Sequence, residues 1–147
     1  MHRREENPII SSQSTLAALR SLSAFLPRLE QPGFDFGHWV PSTQRKDGVW
    51  TMPYYELSAD GLALVRAMPV QTGFDWPAWM QTAGARAYFE DHARVAEATA
   101  HDLMKLTTSL VRGDRFNEGA LASAFESGLL LAIARRAAAL TETGHGS

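Results

Sequence analysis

Thr99-Ala100-His101-Asp102-Leu103-Met104-Lys105-Leu106-Thr107-Thr108-Ser109-Leu110-Val111-Arg112-Gly113-Asp114 is the stretch that decides the architecture. Thr99 and Asp102 stand at the spacing of an Asp variant of the capping box, which ties up free N–H groups at a helix start. Leu103, Leu106 and Leu110 then recur at helical spacing and draw one apolar stripe. Gly113 is expected to end this helix in a left-handed conformation. The next helix should open at Phe116 or Asn117, with Leu121, Ala124, Phe125 and Gly128 as its buried seam. Leu130, Ile133, Ala137 and Leu140 continue the pattern, and Gly128 after Ser127 marks either a break between two helices or a tight crossing. From Ala78 onward lie 16 of the chain's 22 alanines, a composition that favours closely packed helices.

Upstream the pattern is looser. Leu16, Leu19, Leu22 and Leu26 form a helical stripe that Ser12 or Ser14 can cap. Pro27 should end or kink that helix, because its ring disfavours helical backbone at Leu26. Gln31 to Trp50 is rich in turn formers and reads as loop, while Val49 to Leu57 is β-branched and aromatic. With Pro53 inside, the latter suits an edge strand or one arm of a small hairpin, entered through Asp47-Gly48. Ser58 should cap a short helix with Asp60 in its first turn and Leu62, Val65 and Met68 on one face, stopped by Pro69. Asp75-Trp76-Pro77 should open another, with Trp76, Trp79 and Met80 sharing a face. The expected fold is therefore mainly α: a compact helical domain of about five to six helices, an aromatic-rich loop segment and room for one short β-hairpin. A single globular domain over residues 13–141 is expected, between a flexible arm at 1–12 and a tail at 142–147.

Composition narrows the function classes. The chain has 147 residues, a formal net charge of −2 and no cysteine. One domain of this size can bury a core without metals or disulfides. Lack of cysteine excludes a disulfide scaffold, a zinc ribbon, an iron–sulfur site and a thiol nucleophile. Near-neutral charge offers no basic stripe for phosphate backbones, so no nucleic acid is expected as partner. The charged N-terminus leads into no apolar run of signal-peptide type, and no apolar stretch approaches the ~20 residues that span a bilayer. The protein reads as soluble and cytoplasmic, with no membrane partner.

Several blocks carry a family resemblance. They are Phe25-Leu26-Pro27 with Gly33-Phe34-Asp35-Phe36-Gly37-His38-Trp39; Pro53-Tyr54-Tyr55-Glu56-Leu57-Ser58 with Phe74-Asp75-Trp76-Pro77-Ala78-Trp79; and Leu106-Thr107-Thr108-Ser109-Leu110-Val111-Arg112, Asp114-Arg115-Phe116-Asn117-Glu118-Gly119 and Phe125-Glu126-Ser127-Gly128. Across about residues 16 to 140 the chain resembles an uncharacterised bacterial family catalogued only as a domain of unknown function. The resemblance implies one compact, mainly helical bacterial domain and brings no ligand or activity with it. Cys often stands in that family where this chain has Asn117, so the resemblance implies no thiol chemistry here.

Candidate chemistry gathers in two places. Arg112, Asp114, Arg115 and Glu118 flank the expected helix–turn–helix junction, with Glu126 two turns beyond Glu118. The preferred reading pairs these ions across the turn to tie two helices together; the alternative is a phosphate or carboxylate site with Glu118 or Glu126 as acid or base. Eleven of the fourteen aromatic residues fall between Phe34 and Phe89, where Trp39, Trp76 and Trp79 either anchor loops or line a binding groove. Asp35 and His38 are polar residues within that segment, without a serine motif to complete a triad. The histidines show no metal-ligand spacing, and neither a phosphate loop, a dinucleotide fingerprint nor Gly-x-Ser-x-Gly is present. No metal and no cofactor is expected. A non-catalytic binding or protein-interaction module, open to homo-oligomerisation, is the favoured function. The alternative is a small enzyme or sensor for an anionic, nucleotide-like ligand at Arg112/Arg115/Glu118. A DNA-reading helix at 117–127 would carry two acidic side chains and no Lys or Arg, the wrong sign for the major groove.

Overall fold

The computed structural model describes the backbone of residues 2–115 and 118–146 and the side chains of residues 14–115 and 118–142. Phe116 and Asn117, expected to open the helix after Gly113, lie outside the described residues. The described elements run α1 (His2–Leu29), β1 (Gly37–Val40), β2 (Tyr54–Leu57), α2 (Ala59–Ala67), α3 (Trp76–Met80), α4 (Ala83–Glu90), a 3-10 helix (His92–Glu97), α5 (Ala100–Gly113), α6 (Ala120–Glu126) and α7 (Leu129–Gly146). The protein is mainly α with one antiparallel hairpin, in which Gly37 pairs Leu57 and Val40 pairs Tyr54. Long helices α1 and α7 pack on each other, and α5 lies against both.

Local chemistry explains most of these boundaries. Ser58 Oγ accepts the Gly61 N–H at 3.0 Å, Asp75 Oδ1 accepts the Ala78 N–H at 3.1 Å, and Thr99 Oγ1 accepts the Asp102 N–H at 3.1 Å. Each satisfies a donor that a helix start leaves free. Asp102 does not close a capping box, because its carboxylate accepts the Tyr88 hydroxyl at 2.7 Å and pairs Lys105 at 3.9 Å. Pro53 immediately precedes β2, so the missing amide costs no ladder bond. Two extra elements, α4 and the 3-10 helix, fill the alanine-rich stretch after Gln81, capped by Thr82 and Asp91 respectively.

Four local expectations are corrected. α1 is already helical at His2, so neither Ser12 nor Ser14 starts it, and it runs past Pro27, whose ring removes one ladder bond, to end two residues later at Leu29. Gly113 stays within α5, with Asp114 as a right-handed cap. Two left-handed glycines, Gly119 at φ +95° and Gly128 at φ +91°, flank α6, and Gly128 is thus a break between helices. On α2 the buried face is Gly61, Leu64 and Met68, whereas Leu62 is exposed. That face is chosen by a close approach: the Phe36 carbonyl, which accepts the Ser58 N–H at 3.0 Å, sits where a Cβ on Gly61 would come within 1.9 Å.

The core is one cluster. Leu19 and Leu22 of α1, Leu64 of α2, Leu103 and Leu106 of α5, and Leu129, Ile133 and Ala137 of α7 are all buried in it. The loop after α1 is pinned by rings instead: Phe25 meets Phe34 edge-on at 6.0 Å, Phe34 meets Phe125 at 5.7 Å, and Phe36 stacks on Phe125 at 4.9 Å. These contacts attach the hairpin to α1 and α6 by apolar burial where regular backbone pairing is short. No described helix is long and apolar enough to cross a membrane.

Candidate functional site

Small side chains create the main cavity. On α6, Ala120, Ser123, Ala124 and Ser127 follow the spacing of a single helix face. Opposite them stand the large side chains of Trp76 and Met80 from α3 and Phe89 from α4. Because that face of α6 has nothing long enough to reach across, a cleft of about 620 Å3 stays open between them. Ser109, Leu110 and Gly113 of α5 line the same space, and Leu129 of α7 and His92 of the 3-10 helix also contribute. The size lies within the range of small-molecule sites, roughly 300–1,000 Å3.

Ser109 is the unusual group in this cleft. It is the last of three consecutive hydroxyl residues on α5, all buried. Thr107 Oγ1 donates to the Pro69 carbonyl at 2.7 Å, and Thr108 Oγ1 donates to the Met104 carbonyl at 2.7 Å and accepts the Gln71 N–H at 2.9 Å. Both are satisfied by the chain after α2 and by their own helix. Ser109 is 3% exposed, and its Oγ has no hydrogen-bond partner among the described residues. A buried hydroxyl left so costs about 1–3 kcal/mol relative to a bonded one. His92 lines the same cleft, and among the described residues no hydrogen bond joins it to Ser109.

The residues singled out from the sequence go to separate places. Glu118 Oε2 accepts the Tyr55 N–H of β2 at 3.1 Å, and Asp114 Oδ1 accepts the Leu121 N–H of α6 at 3.1 Å. Backbone amides, not guanidiniums, hold these carboxylates. Among the described residues Arg112 and Arg115 form no ion pair, and neither lines a described cavity. The junction is tied by carboxylate-to-amide bonds instead of the expected ion pairs.

Glu118, Glu126 and Trp39 do meet, around a smaller hollow of about 270 Å3 that also touches Ala120 and Ser123. Trp39 is 49% exposed and lies across Gly119, where a Cβ would come within 2.7 Å of the indole. Tyr55 meets Trp39 edge-on at 5.5 Å. Burial chiefly, then the Glu126 and Asp35 carboxylates, push the Tyr55 phenol up from its ordinary value. The local field is negative, unsuited to an anion.

Trp76 reaches the main cleft, whereas Trp79 packs against the core with Phe74 at 6.2 Å. The tryptophans therefore share no groove. His38 pairs across the hairpin with Glu56 at 3.4 Å rather than with Asp35, and His38, Asp35 and Trp39 are all exposed. The sequence does not single out Ser109, Phe89, Ala120 or Ser123, and it offers His92 only as one of the histidines without metal-ligand spacing. The usable signals were Ser109 one turn from Leu106 on the apolar face, and the run of small residues along one side of α6.

The sequence model of a family of unknown function, DUF6508, matches residues 14–143, and the chain belongs to that family. No curated protein and no solved structure matches it.

Proposed function

We propose that this family member is a non-catalytic binding domain whose ligand is a mainly apolar small molecule held in the cleft between α3, α5 and α6. The observation that carries this reading is Ser109: a buried hydroxyl without a partner among the described residues, on the wall of an open apolar cavity. Apolar surface supplies affinity in such a site, and one placed polar group sets orientation. A ligand oxygen or nitrogen would satisfy the hydroxyl that the protein leaves unpaired. The non-catalytic half of the proposal is supported by Ser109 Oγ, which no described residue, His92 included, engages in a hydrogen bond. The anion reading at Arg112, Arg115 and Glu118 gains no support, because the two guanidiniums stand outside both cavities and the nearer hollow is lined by carboxylates.

Decanol is a suitable first probe, with an apolar chain and one hydroxyl. Saturating decanol should raise the melting temperature by mass action. Ser123→Phe, which projects a ring from the small face of α6 into the cavity, should abolish that rise. Ser109→Ala should stabilise the unliganded protein by about 1 kcal/mol, because it removes the unpaired hydroxyl, and should weaken decanol binding. Absence of any decanol effect, or an effect unchanged by Ser123→Phe, would overturn the proposal.

A further inference from the structure

Beside the apolar cleft lies a second hollow of about 280 Å3, and the two cavities share His92. The second one is cationic: Arg135 and Arg136 of α7 line it together with alanines of α7 and the 3-10 helix. Leu129, Ala132 and Arg136 stand one helical turn apart along α7, so they form a single row. Leu129 lines the apolar cleft, whereas Ala132 and Arg136 line the cationic hollow. The row therefore leads from an apolar wall to a guanidinium.

Arg136 is held for such a role. Its Nε donates to the Ala98 carbonyl at 2.8 Å, which anchors the half-buried side chain to the end of the 3-10 helix. Its two terminal nitrogens make no hydrogen bond among the described residues. Two carboxylates are engaged elsewhere: Glu30 holds Arg135 at 3.0 Å, and Asp102 accepts the Tyr88 hydroxyl and pairs Lys105. Guanidinium donors left over in this way match the paired oxygens of a carboxylate or phosphate.

Resting on the cleft as the binding site, we infer that its ligand is an amphipathic anion, with its apolar body between α3 and α6 and its carboxylate or phosphate head beside His92 and Arg136. An apolar cleft alone prefers the uncharged chain, since a charge loses hydration on entry. Preference for the charged chain thus reports the cationic hollow.

The test compares decanoate, decyl phosphate and decanol by calorimetric titration of the unaltered protein. At least one of the two anions should bind at least about tenfold more tightly than decanol, and comparing them tells a carboxylate head from a phosphate head. Arg136→Gln should erase that advantage while leaving decanol affinity in place, and Arg136→Lys should restore part of it. If decanol equals or exceeds both anions, or if their advantage survives Arg136→Gln, the inference is overturned and the cleft itself stands. If no probe binds, both fall. Because the comparison in the unaltered protein needs no variant, a folding defect in Arg136→Gln cannot hide the result.

Discussion

Two helical glycines make opposite predictions when each is replaced by alanine. At Gly61 the new Cβ would lie 1.9 Å from the Phe36 carbonyl oxygen and 2.8 Å from its carbon. Backbone cannot rotate away as a side chain would, so α2 must retreat by about 1 Å or more, at the overpacking cost of about 1–3 kcal/mol. The retreat also stretches the Ser58 N–H bond to Phe36 and the Gly61 N–H bond to Ser58 Oγ, both 3.0 Å. A lost cap adds about 1 kcal/mol, roughly cancelling the intrinsic gain of about 1 kcal/mol from alanine in a helix. Gly61→Ala should therefore destabilise the domain by about 1–3 kcal/mol, and lower the melting temperature by roughly 2–12 °C. At Gly113 the same Cβ would sit 3.6 Å from the Trp76 ring, an ordinary contact. Gly113→Ala should be neutral or stabilise by up to about 1 kcal/mol. Urea unfolding followed by far-UV circular dichroism measures both. A Gly61→Ala protein as stable as its parent would refute the placement of α2 against the loop entering β1, and a Gly113→Ala protein that loses more would refute the open contact between Gly113 and the Trp76 ring.

Two further perturbations follow from the hydrogen bonds. Burial first, then the hydrogen bond to Asp102 and that carboxylate's charge, push the Tyr88 phenol from 10.0 up to about 12, against the opposing charge of Arg136. Because the folded value lies above the unfolded one, this contribution is complete below pH 10 and is lost as the pH rises toward about 12. Tyr88→Phe should flatten the loss of stability over that alkaline interval, measured as urea midpoint against pH; an unchanged profile would contradict the Tyr88–Asp102 contact. Asp114→Ala should cost about 1 kcal/mol, since it frees the Leu121 amide. Arg112→Ala should change stability by less than about 0.5 kcal/mol, and a larger loss in its urea midpoint than in that of Asp114→Ala would show that the guanidinium, not the carboxylate, ties the junction.

What could be read from the amino-acid order was local. Helix starts at Ser58, Asp75 and Thr99 were legible because a capping side chain reaches only two or three residues along its own chain. Leu103, Leu106 and Leu110, like Leu130, Ile133 and Ala137, announced buried faces through spacing alone, and the aromatic residues after Pro53 announced β2. Tertiary structure decided everything that depends on which distant atoms meet. Glu118 and Asp114 could have paired with arginines beside them, but the fold places amides of β2 and α6 within hydrogen-bond distance of them instead. Gly61 was unremarkable until the Phe36 carbonyl was placed against it. Thr107, Thr108 and Ser109 are near-equivalent in the chain, and the path of residues 69–71 adds tertiary partners for two of them while leaving the third beside a cleft. Spacing along one helix is set by backbone geometry that every residue shares, whereas a cavity is the volume that facing side chains fail to fill, and that volume exists only once the helices are packed.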